Sequence, residues 1–483
     1  MLPEELTALV NDIAFKKCEM NNIELKKALN GTPHRLYDTL SSFANQSGGG
    51  IIIFGIDEKN NYSACGVYDP QDLQVKVMEQ ANQMSPILRP LFTVASIDAK
   101  IIVSAEISEC DVSEKPCYYK GAGKIRGSYI RVGDADMPMT EYEIYSFEAF
   151  KRKIQDELRP IPAGIGAALN KSELDLYFAK IRSEKPNLAA LTDSQILQLG
   201  GFEVEGNPTM ASLMLFGMYP QGNFPQLCTT AVVIPGYEMG EIGEEDARFL
   251  DNKKKEGTIP QMLAGAMSFV QHNMRMRTII GESGKREDRA EYPLKAVREI
   301  ILNALIHRDY SMHTENSPIR IMLFSDRLEV ENPGGLYGRL TIDNLGKVGA
   351  DTRNPYIASA LEIMLDTENR FSGISTIRHE TKRANLPDPV FISSRGVFKV
   401  ILYNGSSKIQ TDAVVENSGL EEKIIALCKI PRSREEIADE LGFSSISYMM
   451  SKYVRPLLDA GIITNTIPDK PKSKSQKYVA VHQ

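Results

Sequence analysis

Glu299, Asn303 and His307 recur every four residues in 297–310, a stretch otherwise dominated by Ile300, Ile301, Leu302, Ala304, Leu305 and Ile306. At helical periodicity the three share one face, so a carboxylate, an amide and an imidazole stand in a row on an apolar helix. Such a helix is expected to be buried, and a buried carboxylate or amide is costly until a ligand, a metal or a neighbouring loop satisfies it. A second set is cationic and aromatic: Tyr118, Tyr119 and Tyr129 alternate with Lys120, Lys124, Arg126 and Arg131. That mixture suits gripping phosphates and stacking on bases.

The flanking elements must position these groups. Glu291-Tyr292-Pro293 primes the start of the apolar helix, and 319–324 and 328–330 alternate as strands around Ser325-Asp326-Arg327. Near the N-terminus, Thr32-Pro33 opens a predicted helix with Leu36, Leu40 and Phe43 as its stripe, and Gly48-Gly49-Gly50 ends it. The β-branched run 51–56 and the segment 101–107 read as strands. A charged connecting helix is expected at 147–155, a proline-rich break at 159–164, a buried segment at 210–217, a strand at 228–234 and an exposed lysine-rich loop at 243–257. Gly281-Glu282-Ser283-Gly284-Lys285-Arg286 lacks the glycine spacing and following Ser or Thr of a phosphate loop and reads as a turn. His307-Arg308-Asp309 is not a kinase catalytic loop, because the glycine-rich loop, Asp-Phe-Gly and Ala-Pro-Glu are all missing.

A polar linker at 405–419 precedes three predicted helices near 420–428, 433–441 and 444–460, with Ser433 and Glu436 spaced as a capping box. Predicted strands at 462–464 and 477–480 complete a winged helix-turn-helix by spacing. Its third helix would offer Ser444, Ser445, Ser447, Tyr448 and Lys452 to a major groove, with Lys470, Lys472 and Lys474 of the wing on phosphates. From Ser418 onward, ten Lys and Arg against eight Asp and Glu leave only +2, so any DNA grip must be local. The alternative is a winged helix used for protein contact or dimerisation.

With 483 residues the chain is expected to hold about three domains, taken as 1–148, 165–405 and 418–483. A hydrophobic content of 42% with 25% charged residues indicates folded protein, and a formal net charge of -7 excludes a global attraction to phosphate. The acidic N-terminal stretch is unlike a signal peptide and no apolar run reaches membrane length, so a cytoplasmic protein without membrane partners is expected. The six cysteines lack a Cys-x-x-Cys pair, which argues against a zinc site or a disulfide framework.

Glu24-Leu25-Lys26, Ser42 to Gly49, Phe54-Gly55-Ile56-Asp57 and Tyr129 to Gly133 together resemble the Schlafen-type AlbA-like domain. That resemblance implies an α+β fold used on DNA or RNA. By likeness to nucleolytic members, Glu19, Glu24 and Asp57 fall where three acids hold a divalent metal. The ordered set from Glu291-Tyr292-Pro293 through 303–310, Asn332-Pro333-Gly334-Gly335 and Arg353-Asn354-Pro355 resembles the RecG-like C-terminal module, a divergent relative of the GHKL ATPases and found in transcriptional regulators. The implied fold class is α+β multidomain: AlbA-like α+β domain, GHKL-like α/β sandwich and winged helix. Catalytic GHKL proteins use a Glu and an Asn four residues apart to activate water and hold Mg²⁺, and Glu299 and Asn303 match that pair. The nucleotide-admitting stretch that follows offers Glu331, Pro333 and Gly335, with a longer acid and a proline in place of the usual acid and glycine. The later phosphate segment is reduced to Ser372-Gly373-Ile374. ATP and Mg²⁺ are the implied cofactors, or none if Asn303 and His307 instead hydrogen-bond the 332–335 loop to lock the fold. No Walker lysine motif or acidic helicase box supports unwinding. The expected protein is a dimeric DNA-binding regulator with a small-molecule or nucleotide effector; the alternative is an ATPase or metal-dependent nuclease.

Overall fold

The computed structural model describes all residues except 19, 163–167, 244–246, 281–285, 350, 366–372, 406–423, 426, 442–448, 460–461, 467–475 and 481–483. Two compact units, Met1–Tyr403 and Asn404–Gln483, are each described by themselves.

The first part of the larger unit is built on a four-stranded sheet. Strand β1 (Ile23–Lys26) runs parallel to β2 (Gly50–Phe54), which pairs antiparallel with β4 (Lys100–Ile107), and β4 with the edge strand β3 (Leu91–Ile97). Side-chain alternation along β2 serves two cores. Ile52 and Phe54 pack with Leu40 and Phe43 of helix α2 (Tyr37–Asn45) and Leu73 and Val77 of α3 (Pro70–Asn82), whereas Ile53 packs with Leu6, Val10 and Ile13 of α1 (Pro3–Lys16). Helix α2 begins later than Thr32-Pro33 suggests. Gln80 of α3 accepts from the Leu36 amide and donates to the Pro33 carbonyl, and these bonds hold 33–36 outside the helix. Strand β5 (Tyr118–Tyr119), α4 (Gly123–Gly127) and the antiparallel pair β6 (Tyr129–Val132) and β7 (Ala135–Pro138) follow. Helix α5 (Glu141–Arg152) is opened by a Thr140–Glu143 capping box and spans residue 148, where the sequence suggests a boundary.

The rest of the larger unit is a two-layer α/β arrangement. Its mixed sheet has the order β9–β8–β12–β13–β15–β14, with β8 (Thr229–Val233), β9 (Asp251–Lys255), β12 (Ile319–Leu323), β13 (Arg327–Pro333), β14 (Val390–Ser394) and β15 (Val397–Tyr403). A two-residue-period pattern explains its sidedness. Leu328 and Val330 of β13 join the core with α9 (Ile259–Asn273), α10 (Leu294–His307), α11 (Pro355–Leu365) and α12 (Gly373–Arg383). On the opposite side Glu329 pairs with Arg327 and Lys399, and Glu331 with Lys399 and Arg320. Helices α6 (Lys171–Glu184), α7 (Asp193–Leu199) and α8 (Met210–Phe216) extend the same core. The lysine-rich segment expected as a loop contains β9, an edge strand whose Lys253 and Lys254 are solvated, so polarity there reflects an edge rather than a loop. A free-standing hairpin of β10 (Met276–Ile280) and β11 (Arg286–Ala290) brackets the predicted turn, most of which lies outside the described residues.

In the smaller unit, Ile437, Ala438, Met449, Tyr453, Val454, Leu457, Ile463 and Tyr478 form a separate core. Ser433 and Glu436 make reciprocal capping bonds at the start of α13 (Arg434–Leu441). A π-helical turn at Met450–Val454 leads into α14 (Arg455–Asp459), where Pro456 has no N–H to continue an α-helical ladder. Strands β16 (Ile463–Asn465) and β17 (Tyr478–Ala480) pair antiparallel. Ser444, Ser445, Ser447, Tyr448, Lys470, Lys472 and Lys474 lie outside the described residues, as does the Lys452 side chain.

Candidate functional site

Helix α10 forms as the sequence predicts, with Pro293 at its N-cap, and buries Val297, Ile300, Ile301, Leu305 and Ile306. Its polar stripe opens into a cavity of about 360 Å³ walled by β13, segments 334–348 and 351–353, α11 and α12. That volume lies within the usual range for small-molecule pockets. Glu299, Asn303, His307, Gly335 and Gly373 all line it. Asn303 Nδ2 donates to Glu299 Oε1 over 3.2 Å. Burial raises the Glu299 carboxyl above its ordinary range despite that bond, and burial with the nearby Arg353 cation pushes His307 down to about 4. The stripe therefore carries a neutral imidazole near pH 7 and a carboxyl that burial makes easier to protonate than a free one.

The register of β13 corrects the expectation for Glu331. Val330 and Asn332 face the cavity, and Glu331 points to the other side of the sheet among Lys399 and Arg320. Asn332 is the residue that sequence reasoning passed over. It is 4% exposed, and its Oδ1 has no hydrogen-bond partner among the described residues. The alternation of Leu328 and Val330 was the available signal, since a period of two carries their face on to 332.

The neighbouring motifs are structural. Asp309 and Arg353 form a buried ion pair; Tyr142 of α5 donates to Asp309 Oδ2 at 2.7 Å, and Arg353 donates to the Gly335 carbonyl at 3.3 Å. The Asp309 amide donates to the Pro333 carbonyl at 2.9 Å, and Asn354 donates to the Ile306 and Arg308 carbonyls at 2.7 Å each. Thus Asp309 and Arg353 fasten the 333–335 turn to the end of α10, and Asn354 ties the segment before α11 to the same end, the task that the alternative sequence reading gives to Asn303 and His307. The two glycines of that turn differ. Gly334 has φ +111°, and a Cβ there would meet Asp309 and Arg353, whereas at Gly335 it would meet only Ser393 Oγ, at 3.3 Å. Gly334→Ala is expected to cost about 2–3 kcal/mol from backbone strain and collision with the pair, and Gly335→Ala under about 1 kcal/mol, by urea unfolding.

In the N-terminal part, the structure separates the expected groups. The Arg131 side chain is buried and pairs with Glu24 and Asp136, so it is unavailable to phosphate; Lys124 is tied to Glu148. Lys120 and Arg126 are exposed. Glu24 is shared between Arg131 and Lys26, and Asp57 pairs with Lys27, which holds its carboxyl below the usual range. Glu19 lies outside the described residues. Among the described residues no group of three or more His, Cys, Asp or Glu is arranged to hold a metal, and no helix is long and apolar enough to cross a membrane.

Comparison with known families matches residues 19–140 to "Schlafen, AlbA_2", 316–402 to "Putative ATP-dependent DNA helicase recG C-terminal" and 422–479 to "Filamentation induced by cAMP protein Fic-like, C-terminal domain". The chain therefore carries a Schlafen-type AlbA-like domain and a RecG-C-terminal, HATPase-like module within a mixed α+β multidomain fold. Both resemblances read from its motifs hold. No curated protein matches the sequence. Among solved structures, the DIP2311 protein of Corynebacterium diphtheriae is similar at 17% identity and TM-score 0.40, covering 99% of this chain and 97% of that one. The N-terminal domain of a RecG-related protein from Nitrosomonas europaea is similar at 28% identity and TM-score 0.23, over 28% of this chain and 92% of that one.

Proposed function

We propose that this protein is a nucleotide-responsive, nucleic-acid-binding regulator, with ATP and Mg²⁺ taken by the α10 cavity and DNA by the outer modules. The observation that carries the reading is Asn332 Oδ1: a buried acceptor without a partner among the described residues, on the wall of a cavity whose lining also includes Glu299 and Asn303. Such an acceptor suits the amino group of adenine, because an unsatisfied buried polar atom costs about 1–3 kcal/mol until a donor reaches it. Asn303 gives its amide hydrogen to Glu299, leaving its side-chain oxygen as a ligand for a hard cation. Gly373 lies directly against this pair, where any larger residue would displace Glu299 and Asn303. Mg²⁺ would supply charge neutralisation to phosphates, and Glu299 would position water, so slow hydrolysis is the second reading that this geometry favours.

The C-terminal capping box, the helices that follow and the β16–β17 pair support a winged helix on DNA, and two-fold regulators of that type read paired half-sites as dimers. The test is thermal and urea unfolding with ATP and Mg²⁺. At a hundred times its dissociation constant the nucleotide is expected to stabilise wild type by about 2.7 kcal/mol, and Asn332→Leu to lose most of that shift. No shift in wild type with ATP or ADP sinks the nucleotide reading. Absence of salt-sensitive DNA binding, unchanged on deleting 418–483, sinks the regulator.

A further inference from the structure

Tyr37, the first residue of α2, and Tyr119 of β5 lie face to face with ring centroids 3.7 Å apart and planes 14° from parallel. Both residues are partly buried against the core, with part of their surface open to solvent. They are fixed from behind: the Tyr37 hydroxyl donates to Gln83 Oε1 at 3.1 Å, and the Lys120 amide to the Gln83 carbonyl at 3.0 Å. Helix α4 packs against both β5 and α2 and brings Ile125, 65% exposed, and Arg126 to the same neighbourhood. Arg35, its side chain 68% exposed, pairs with Asp38 at 3.1 Å and reaches across to the Tyr129 hydroxyl. Among the described residues Lys120 and Arg126 have no acidic partner, and the Lys120 ammonium reaches only the Asn82 carbonyl.

We propose that the Tyr37–Tyr119 stack, rimmed by Arg35, Lys120 and Arg126, is a docking platform for single-stranded nucleic acid. The proposal rests on the nucleic-acid reading above and narrows it. Charge decides between the two forms. Residues 1–148 carry fourteen Lys and Arg against twenty-one Asp and Glu, and two of the four cations expected from sequence, Lys124 and Arg131, are spent on internal carboxylates. A duplex presents about one charge per 1.7 Å and is commonly held through roughly six to ten phosphate contacts, which three cations on an acidic surface do not provide. Stacking needs few charges: a base on an aromatic ring contributes about 1–3 kcal/mol and only an unpaired strand exposes base faces.

The experiment is fluorescence anisotropy with the full chain, a labelled oligothymidylate of about twenty residues and a duplex of equal length, across a salt series. Wild type is expected to bind the single strand with a log–log salt slope near −2, the value for about three phosphate contacts. Tyr119→Leu, which keeps apolar volume, and the surface pair Lys120→Glu/Arg126→Glu are each expected to weaken single-strand binding by more than tenfold and leave duplex binding through 418–483 unchanged. Because the second variant alters only exposed side chains, a folding defect in the first does not decide the result. Unchanged single-strand affinity in both variants overturns the platform while leaving the nucleic-acid reading intact. A wild-type protein that binds neither form overturns both.

Discussion

Asp309→Ala is expected to destabilise the larger unit by about 3–5 kcal/mol, a large fraction of an ordinary domain's stability. The carboxylate is buried, and its removal strands the equally buried Arg353 guanidinium beside a cavity. It also removes the acceptor for Tyr142 and for the Ser311 amide. Burial, the largest influence, would raise the Asp309 pKa, but the Arg353 charge together with the hydrogen bonds from Ser311 and Tyr142 outweighs it and the net shift is downward. A carboxyl depressed in the folded state contributes stability above its unfolded pKa and loses it as pH falls through the folded value, so wild type should weaken on acidification. Urea unfolding at pH 7 and pH 3 measures both effects. Replacing both partners with Leu and Met is expected to cost less than Asp309→Ala; an equal or larger loss would mean that the pair is not the source of the effect.

A second large effect, of opposite sign in pH, is expected at Glu157. This carboxylate is fully buried and accepts from the amides of Tyr356 and Ile357 at 3.0 and 2.9 Å, capping α11 from a distant part of the chain. Burial raises its pKa to about 7 against the pull of those amides. A carboxyl raised in the folded state binds its proton more tightly there, so its contribution is complete below about 4.5 and declines as pH rises to about 7. The difference corresponds to about 3 kcal/mol as an order of magnitude. Glu157→Gln cannot ionise, so its unfolding free energy is expected to be flatter than that of wild type between pH 5 and pH 8. Parallel profiles for the two proteins would refute the assignment.

The readable parts of this fold were those fixed by local pattern. Ile300, Ile301 and Ile306 announced a buried helix, the alternation at 319–330 announced strands, and Ser433 with Glu436 announced a helix start. What failed to show depended on distant partners. Nothing near Thr32 reveals that Gln80 will hold 33–36 out of the helix, and nothing near Asp57 reveals Lys27. Strand β3 was hidden because Leu91 and Val94 sit exposed at a sheet edge. In the site, Glu299, Asn303 and Gly373 were legible as a group because helical spacing and a short glycine motif are local, whereas Glu331 was preferred to Asn332 on residue type when strand alternation favoured the amide.

Helix α5 has a consequence for how such a chain can be cut or inherited. Glu148 on it holds Lys124 of α4, Tyr142 reaches Asp309, and Phe150 meets the Tyr337 ring that lines the cavity, at 5.4 Å between centroids. A fragment ending before α5 would leave Lys124 without its carboxylate. One starting after residue 164 would lack both the Tyr142 hydroxyl and the Glu157 cap. The two family segments thus share one keystone, and a gene exchange that swaps either of them alone must carry a compatible 141–158 stretch with it or leave the buried Asp309 without its tyrosine and α11 without its cap.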